Sequence, residues 1–384
     1  MKFLHLGDLH LGKSLGEFDL IEDQRYILDR IIDIAKEKKA DAILIAGDVY
    51  DRAIPSEAAV GLLDSFFCSL SENNIKVFVI SGNHDSDERL GFGSALFEES
   101  GIYICSKFDG HLYRHVFTDS VGDVNIYLLP FIKASQVRHF FPDEKIETYD
   151  DAVKCVLEHS DFNKDERNVL VAHQFVAGGA DPVLAGSEHI QALSVGTVER
   201  ISYSTMENFD YVALGHIHSP QKVGHEHIRY SGSPIKYSLS EVSNDKSVPF
   251  VTVGEKGELD IELIPLKPKR DLRRIKGELK QLLSSENVTD TEDFIYAVLT
   301  DENIVNDAMS IFQQYYPNTV KIEYDNEHTR SIEHVDPTDF TEKRSFTDLI
   351  SDFYRQVYGC EITEDELLIM KEVGREAGVV DEAD

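Results

Sequence analysis

The sequence predicts an α/β chain in which a large N-terminal domain is followed by a small α+β domain and a helical tail. Apolar runs that read as buried strands alternate with helical patterns, and short polar clusters recur directly after those runs. The C-terminal third then changes character, first at a basic, proline-containing stretch and again near residue 337.

Taken in order, "FLHL" is the first strand, and Ile27, Leu28, Ile31, Ile32 and Ala35 follow at helical spacing. "AILIA" is the second strand. A second helical pattern (Ala58, Val60, Leu62, Leu63, Phe66, Phe67, Leu70) leads to the third strand, "KVFVIS". Strand, helix, strand in repetition is the signature of βαβ units around a buried parallel sheet, whose sites lie at the carboxyl ends of the strands. Gly7, Gly47, Gly82 and Gly215 each precede a polar cluster, as expected of sharp strand exits. "VPFVTVGEKGELDIELIPL" reads as a hairpin that closes a first domain over residues 1–266, and "LKPKRDL" as a linker. The small domain, 271–327, reads as helix "DLRRIKGELKQLL", strand "FIYAVLT", helix "NDAMSIFQQYY" and strand "TVKIEY". In the tail, 337–384, Phe346, Leu349, Ile350, Phe353 and Val357 form one apolar stripe, and Thr363 to Glu366 forms a capping box.

A chain of 384 residues that is 42% hydrophobic can bury a sizeable core. It has no apolar run of about 18 residues, so no membrane-spanning helix is expected. The opening "MKFLHLGDLH" places an acidic residue and two histidines where a signal peptide needs apolar residues. Cys68, Cys105, Cys155 and Cys360 lie far apart with no redox or zinc spacing, which fits ordinary thiols in a reduced, cytoplasmic setting. The net charge of −32 argues against a polyanionic partner. That charge is uneven: residues 331–384 hold 5 basic and 15 acidic side chains. Bound divalent cations would also reverse the local potential at an acidic site.

The chemistry concentrates in five motifs, each at the end of an apolar run. They are Asp8 and His10 in "GDLH", Asp48 in "GDVYD", Asn83 with His84 in "GNHD", His173 in "VAHQ", and His216 and His218 in "GHIH". Asp, Asn and His without thiolates suit Mn²⁺, Fe or Zn²⁺ better than Ca²⁺. Seven ligands exceed what one ion needs and divide naturally between two ions that share a carboxylate, the arrangement used for in-line displacement at phosphorus. Each residue also has a plain reading by itself: His10 as a satisfied histidine, Asp8 as a turn residue, Asp48 as a helix N-cap. Those readings would have to hold together at five strand ends.

The ordered set Asp-x-His, Gly-Asp-x-x-Asp, Gly-Asn-His-Asp, a lone His and Gly-His-x-His resembles the calcineurin-like metallophosphoesterases. "FLHLGDLHLGK", "HQFVAGG", "LSVGTVERI", "FDYVALGHIH" and "YSGSPIKYSLSE" are similar to the SbcD family of bacterial nuclease subunits. The resemblance implies an α+β sandwich with a small DNA-facing capping domain. It places Asp8, His10 and His218 on one ion, Asn83, His173 and His216 on the other, and Asp48 between them. It makes His84 the group that reaches the scissile phosphate. Asp51 and Asp85 would orient ligands or His84; capping or turn roles are the alternative for both.

The implied activity is that of a Mn²⁺-dependent nuclease, with 3'-5' exonuclease action on double strands and endonuclease action on single strands and hairpins. Its partner would be an SbcC-type ABC ATPase, docked through the tail, in a heterotetramer containing a homodimer of this chain. A phosphate loop is missing from the chain itself, so ATP chemistry would come from that partner. "GDVYDR" with Arg52 keeps open a phosphatase or small phosphodiesterase on the same scaffold. An inactive scaffold that only docks the ATPase is the non-enzymatic alternative. Two further clusters read as surface features: His225 and His227 in a loop, and "PFIKASQVRHFFPDE" as a half-buried loop whose basic and aromatic interleaving could meet nucleic acid.

Overall fold

The computed structural model describes residues 1–179, 181–186, 200–326, 346–358 and 362–376. The chain divides into two compact units, Met1–Leu272 and Arg273–Asp384.

The first unit is a sandwich of two six-stranded sheets. One contains β1 (Lys2–Leu6), β2 (Ala42–Ala46), β3 (Lys76–Ile80) and β4 (Ile102–Cys105) side by side and parallel. Helices α1 (Ile21–Lys38) and α2 (Glu57–Glu72) make the crossovers. The second sheet carries β5 (Tyr113–Thr118), β6 (Asp123–Leu129), β7 (Asn168–His173), β8 (Tyr211–Gly215), β9 (Gln221–Val223) and β10 (His225–Tyr230) in the order β9-β10-β8-β7-β6-β5. Its four central strands are parallel. The predicted hairpin, β11 (Ser247–Val253) and β12 (Leu259–Pro265), returns antiparallel to β1 and completes the first sheet.

The inner faces meet through Phe3, Leu44, Phe78 and Ile80 on one side and Ile126, Leu128, Val171 and Ala213 on the other, all fully buried. Strands covered on both faces have no alternation to show, which is why β2 reads as the unbroken run "AILIA". The other face of the second sheet is covered by α3 (Ala134–Phe140) and α4 (Tyr149–Glu158).

Several local expectations are corrected. "PFIKASQVRHFFPDE" is not a loop: Ala134 and Val137 are buried, and Gln136 Oε1 accepts from the Lys133 amide at 2.8 Å, so α3 forms. His225 and His227 lie on strand β10, paired antiparallel with β9. Within the "LKPKRDL" linker, Leu266 is buried and the Arg270 guanidinium pairs with the buried Asp23 carboxylate.

In the second unit, "DLRRIKG" is a strand, β13 (Leu272–Gly277), where a helix was expected. Leu272, Ile275, Leu279 and Leu282 do fall at helical spacing. Gly277 costs a helix about 1 kcal/mol, however, and pairing with β14 (Phe294–Leu299) satisfies the backbone instead. β15 (Thr319–Tyr324) runs parallel to β14, and Phe312 on α5 (Ala308–Gln313) packs with Ile295 and Leu299. The tail forms α6 (Phe346–Tyr358) and α7 (Glu364–Glu376), with Tyr354 Oη donating to Glu366 at 2.6 Å. The Thr363–Glu366 capping box is present, since the Glu366 carboxylate accepts from the Thr363 amide at 3.0 Å. "LSVGTVE", "HVDPTDF", Cys360 and the Val357 side chain lie outside the described residues. Among the described residues no helix is long and apolar enough to cross a membrane.

Candidate metal centre

The five motifs follow β1, β2, β3, β7 and β8 and converge at one end of the sandwich. The backbone turns hard at three of these exits. Asp8 (φ 54°), His10 (φ 41°), Asp48 (φ 48°) and His216 (φ 100°) all sit at positive φ, which L-residues adopt only when their surroundings enforce it. The preceding glycines serve mainly close approach. A Cβ on Gly215 would lie 1.8 Å from the Ala46 carbonyl oxygen, and one on Gly82 would lie 2.1 Å from Asp48 Oδ1. The exits are bonded to one another as well: the Asp8 amide donates to the Gly47 carbonyl at 3.1 Å and the His10 amide to the Asp48 carbonyl at 2.9 Å.

Asp48 lies in the middle. Its Oδ2 is 3.6 Å from His10 Nε2, 3.4 Å from His173 Nε2 and 4.0 Å from His84 Nε2. On one side, His10 Nε2 and His218 Nε2 face each other at 3.1 Å, and Asp8 joins them within reach of a common ion. On the other, Asn83 Oδ1 lies 3.0 Å from both His173 Nε2 and His216 Nδ1. Asp8, His10, Asp48, His173 and His218 are all buried.

Two tautomers follow from the partners. His173 Nδ1 is 2.8 Å from the Ala46 carbonyl, which can only accept, so Nδ1 carries a proton and Nε2 is the nitrogen turned toward Asp48; burial works against the charged ring, but Asp48 outweighs it and raises the imidazole to about 9. His218 Nδ1 points at Glu241 Oε1 at 3.4 Å, which leaves its Nε2 facing His10.

Burial raises the Asp8 carboxyl to about 6, with Asp48 adding to the effect against His173 and His218. Burial also works against ionised Asp48, but His173, His10 and His84 outweigh it and hold that carboxyl well below its usual range. Burial pushes His10 and His216 down, so both are neutral imidazoles ready to donate a lone pair. Asp8 Oδ2 is buried and makes no hydrogen bond among the described residues. Carboxylates, an amide oxygen and neutral imidazoles, some facing one another with no donor between them, are a set that fits divalent cations.

His84 is half-buried at the edge of this set. Its amide donates to Asp48 Oδ1 at 2.9 Å, and its Nδ1 is 2.9 Å from the Asp51 carbonyl. Asp51 therefore meets His84 through its main chain, while its carboxylate takes Lys13 Nζ at 2.7 Å and lies 3.7 Å from His10 Nδ1. Asp85 accepts from the amides of Val49, Tyr50 and Gly82 at 2.9–3.1 Å, and so pins the exits of β2 and β3 together. The N-cap of α2 is Ser56, not Asp48. Arg52 is 83% exposed and pairs with Asp51 at 3.5 Å.

The sequence reading missed two side chains that the centre depends on, Glu241 and Lys246. Glu241 is fully buried between His218 and Lys246, whose Nζ lies 2.6 Å from Oε2. Burial opposes its ionisation, but the His218 hydrogen bond and the Lys246 charge hold its carboxyl down at about 2. Glu241 is the last residue of "YSGSPIKYSLSE", a motif legible in the sequence as a family mark but not as a support for a histidine.

With this geometry in place, the family comparisons can be set beside it. Residues 1–220 match the calcineurin-like phosphoesterase family, and residues 268–358 match the family described as type 5 capsule protein repressor C-terminal domain. Over 366 residues the chain is 33% identical to the SbcD subunit of the nuclease SbcCD of Staphylococcus epidermidis, a match spanning 93% of both chains. The chain belongs to the SbcD family. As a calcineurin-like phosphoesterase of that family it is a metal-dependent phosphodiesterase of the nuclease type. Two solved structures are more distant. A Thermus thermophilus protein matches at TM-score 0.38 and 14% identity, over 68% of this chain and 98% of its own. A dimetal phosphatase from Danio rerio matches at TM-score 0.37 and 12% identity, over 70% and 99%. Likeness at that level adds nothing to the SbcD assignment.

Proposed function

We propose that this SbcD-family chain is a Mn²⁺-dependent DNA nuclease in which Asp8, His10 and His218 hold one ion and Asn83, His173 and His216 the other. Asp48 is shared between them. The observation that carries the reading is the position of Asp48 Oδ2, within 3.6 Å of imidazole nitrogens from both half-sets. When bound, two divalent ions make water a competent nucleophile at neutral pH and offset the charge that builds on the phosphoryl group.

The chain's own residues do the rest. The Ala46 carbonyl and the Glu241 carboxylate hold His173 and His218 with their lone pairs inward. Asp85 fixes the two loops that present Asp48 and Asn83. Because the Asp51 carbonyl accepts from His84 Nδ1, the proton that His84 can gain or give is the one on Nε2, which faces the centre. His84 is then placed to protonate the leaving oxygen or to donate a hydrogen bond to the phosphate. Asp51 and Asp85 act by positioning.

The same reading makes residues 1–266 the nuclease domain, 271–327 a DNA-facing cap and 337–384 the docking segment for an SbcC-type ATPase, in a cytoplasmic heterotetramer built on a homodimer of this chain. Support for the partner comes from the S. epidermidis relative, whose name makes it one subunit of SbcCD. Substrates would be double-strand ends, cut 3'-5', together with single strands and hairpins. The test is Mn²⁺-dependent cleavage of a hairpin-ended duplex, with and without the ATPase, beside metal analysis. Two Mn²⁺ per chain and hairpin opening are expected; hydrolysis of phosphomonoesters alone would favour the phosphatase alternative.

A further inference from the structure

The loop that leaves β1 carries Asp8 and His10 at positive φ, a conformation that persists only where its surroundings fix it. It is held from two directions. On one side its amides donate to the exit of β2: Asp8 to the Gly47 carbonyl, His10 to the Asp48 carbonyl and Leu11 to the Val49 carbonyl, at 2.9–3.1 Å. On the other it meets two side chains that belong to none of the five motifs, Gln24 of α1 and Tyr237, which are 1% and 3% exposed. Gln24 Nε2 donates to the His10 carbonyl at 2.7 Å, and its Oε1 accepts from the Gly12 amide at 2.9 Å. Tyr237 Oη donates to the Leu9 carbonyl, so in its 3.2 Å bond with Gln24 Nε2 it is the acceptor.

Both peptide planes that flank His10 are therefore bonded at both edges. The Leu9–His10 plane lies between Tyr237 and Asp48, and the His10–Leu11 plane between Gln24 and Val49. Tyr237 also reaches the other imidazole on this side. Its ring stands edge-on to His10 at 5.7 Å and to His218 at 6.1 Å, centroid to centroid. Its amide donates to Glu241 Oε1 at 3.3 Å, the same oxygen that faces His218 Nδ1. Among the described residues neither Gln24 nor Tyr237 bonds to Asn83, His173 or His216.

We propose that Gln24 and Tyr237 are positioning residues for the His10–His218 half of the centre. By fixing the planes on either side of His10 they set where its ring points, and with it the affinity of that half for its ion. Groups behind a metal ligand tune affinity in this way by about 10–100-fold. The inference rests on the reading of Asp8, His10 and His218 as ligands of one ion, and adds to it the two side chains that aim His10. The neighbouring Lys236 serves as a control. It pairs with Asp271 at 2.9 Å and donates to the Leu272 carbonyl at 3.2 Å.

The experiment is calorimetric titration of the full-length protein with Mn²⁺, which needs no turnover. Tyr237→Phe keeps the ring and removes only the hydroxyl; Gln24→Met keeps the length and removes the amide. Each should weaken one of the two ions about tenfold and leave the other unchanged. The double variant should lose less than the product of the two, because Gln24, Tyr237 and the Leu9 carbonyl form one chain of hydrogen bonds. Turnover of a methyl-nitrophenyl phosphodiester by either variant should return toward wild type as Mn²⁺ is raised, with KM for the diester unchanged, which lost folding would not do. Lys236→Ala should leave both ions as in wild type. Unchanged affinities in both variants, equal weakening of both ions, or the same loss in Lys236→Ala would overturn the positioning role. A wild-type chain that takes up fewer than two ions would overturn the two-ion reading itself, and this inference with it.

Discussion

On the His10–His218 side of Asp48 the supporting groups are charged side chains, whereas on the His173–His216 side they are a backbone carbonyl and an amide. Lys246 and Glu241 stand behind His218, and Lys13 and Asp51 stand beside His10. His173 rests on the Ala46 carbonyl, and Asn83 bridges it to His216. In the proposed division the first side adds Asp8 to the shared carboxylate, and the second adds an amide and two imidazoles. Charge therefore favours tighter ion binding on the first side. The second side is expected to exchange its ion more readily.

The largest effect should come from the one group both sides share. Asp48→Ala is expected to lower nuclease turnover by about 10^4-fold and to deplete both ions by metal analysis. Retention of one full equivalent of Mn²⁺ with normal activity would show the two sides to be independent.

His84→Ala should cost about 10^3-fold in kcat with both ions retained, because the proposed role of His84 is toward the phosphate and not the ions. Unchanged turnover in that variant would remove His84 from the mechanism.

Glu241→Gln separates the sides. It should weaken one ion by about 10–100-fold and leave the other alone, as read by Mn²⁺ titration. Lys246→Met, by contrast, leaves a buried carboxylate without its cation and should cost about 3–5 kcal/mol of stability in denaturant unfolding. Equal loss of both ions in Glu241→Gln would erase the asymmetry.

A smaller effect belongs to the scaffold away from both sides. Asp119, paired with Arg167 and the N-terminal amine, has its carboxyl held far below 3.8, with the Arg167 hydrogen bond the largest cause. A depressed folded-state pKa contributes stability above the unfolded value and loses it as pH falls through that range. Asp119→Asn should therefore flatten acid unfolding below about pH 4 while Mn²⁺ binding at neutral pH is unaffected.

The five polar motifs that the structure brings together were legible in the sequence because each occupies a strand exit, where a buried apolar run stops and a short polar cluster begins. Asp8, Asp48, Asn83, His173 and His216 each announce themselves that way. Glu241 and Lys246 could not, because neither follows a strand exit and their roles depend on a buried partner more than twenty residues away for Glu241. "DLRRIKG" misled for a related reason: its leucines and isoleucine fit a helix period, and only the open edge of β14 made the strand cheaper. Helix α3 went unread because its short apolar face, Ala134 and Val137, is too brief to show a period.

The sequence by itself determined which chemistry the chain can perform, since ligand types and their order depend on local strand, turn and glycine preferences that neighbouring residues impose. The tertiary structure decided which of these side chains meet around Asp48 and which charges stand behind each histidine. Those are distances between segments far apart in the chain, such as His10 and His218, which are separated by 208 positions. Only packing of the two sheets brings them together.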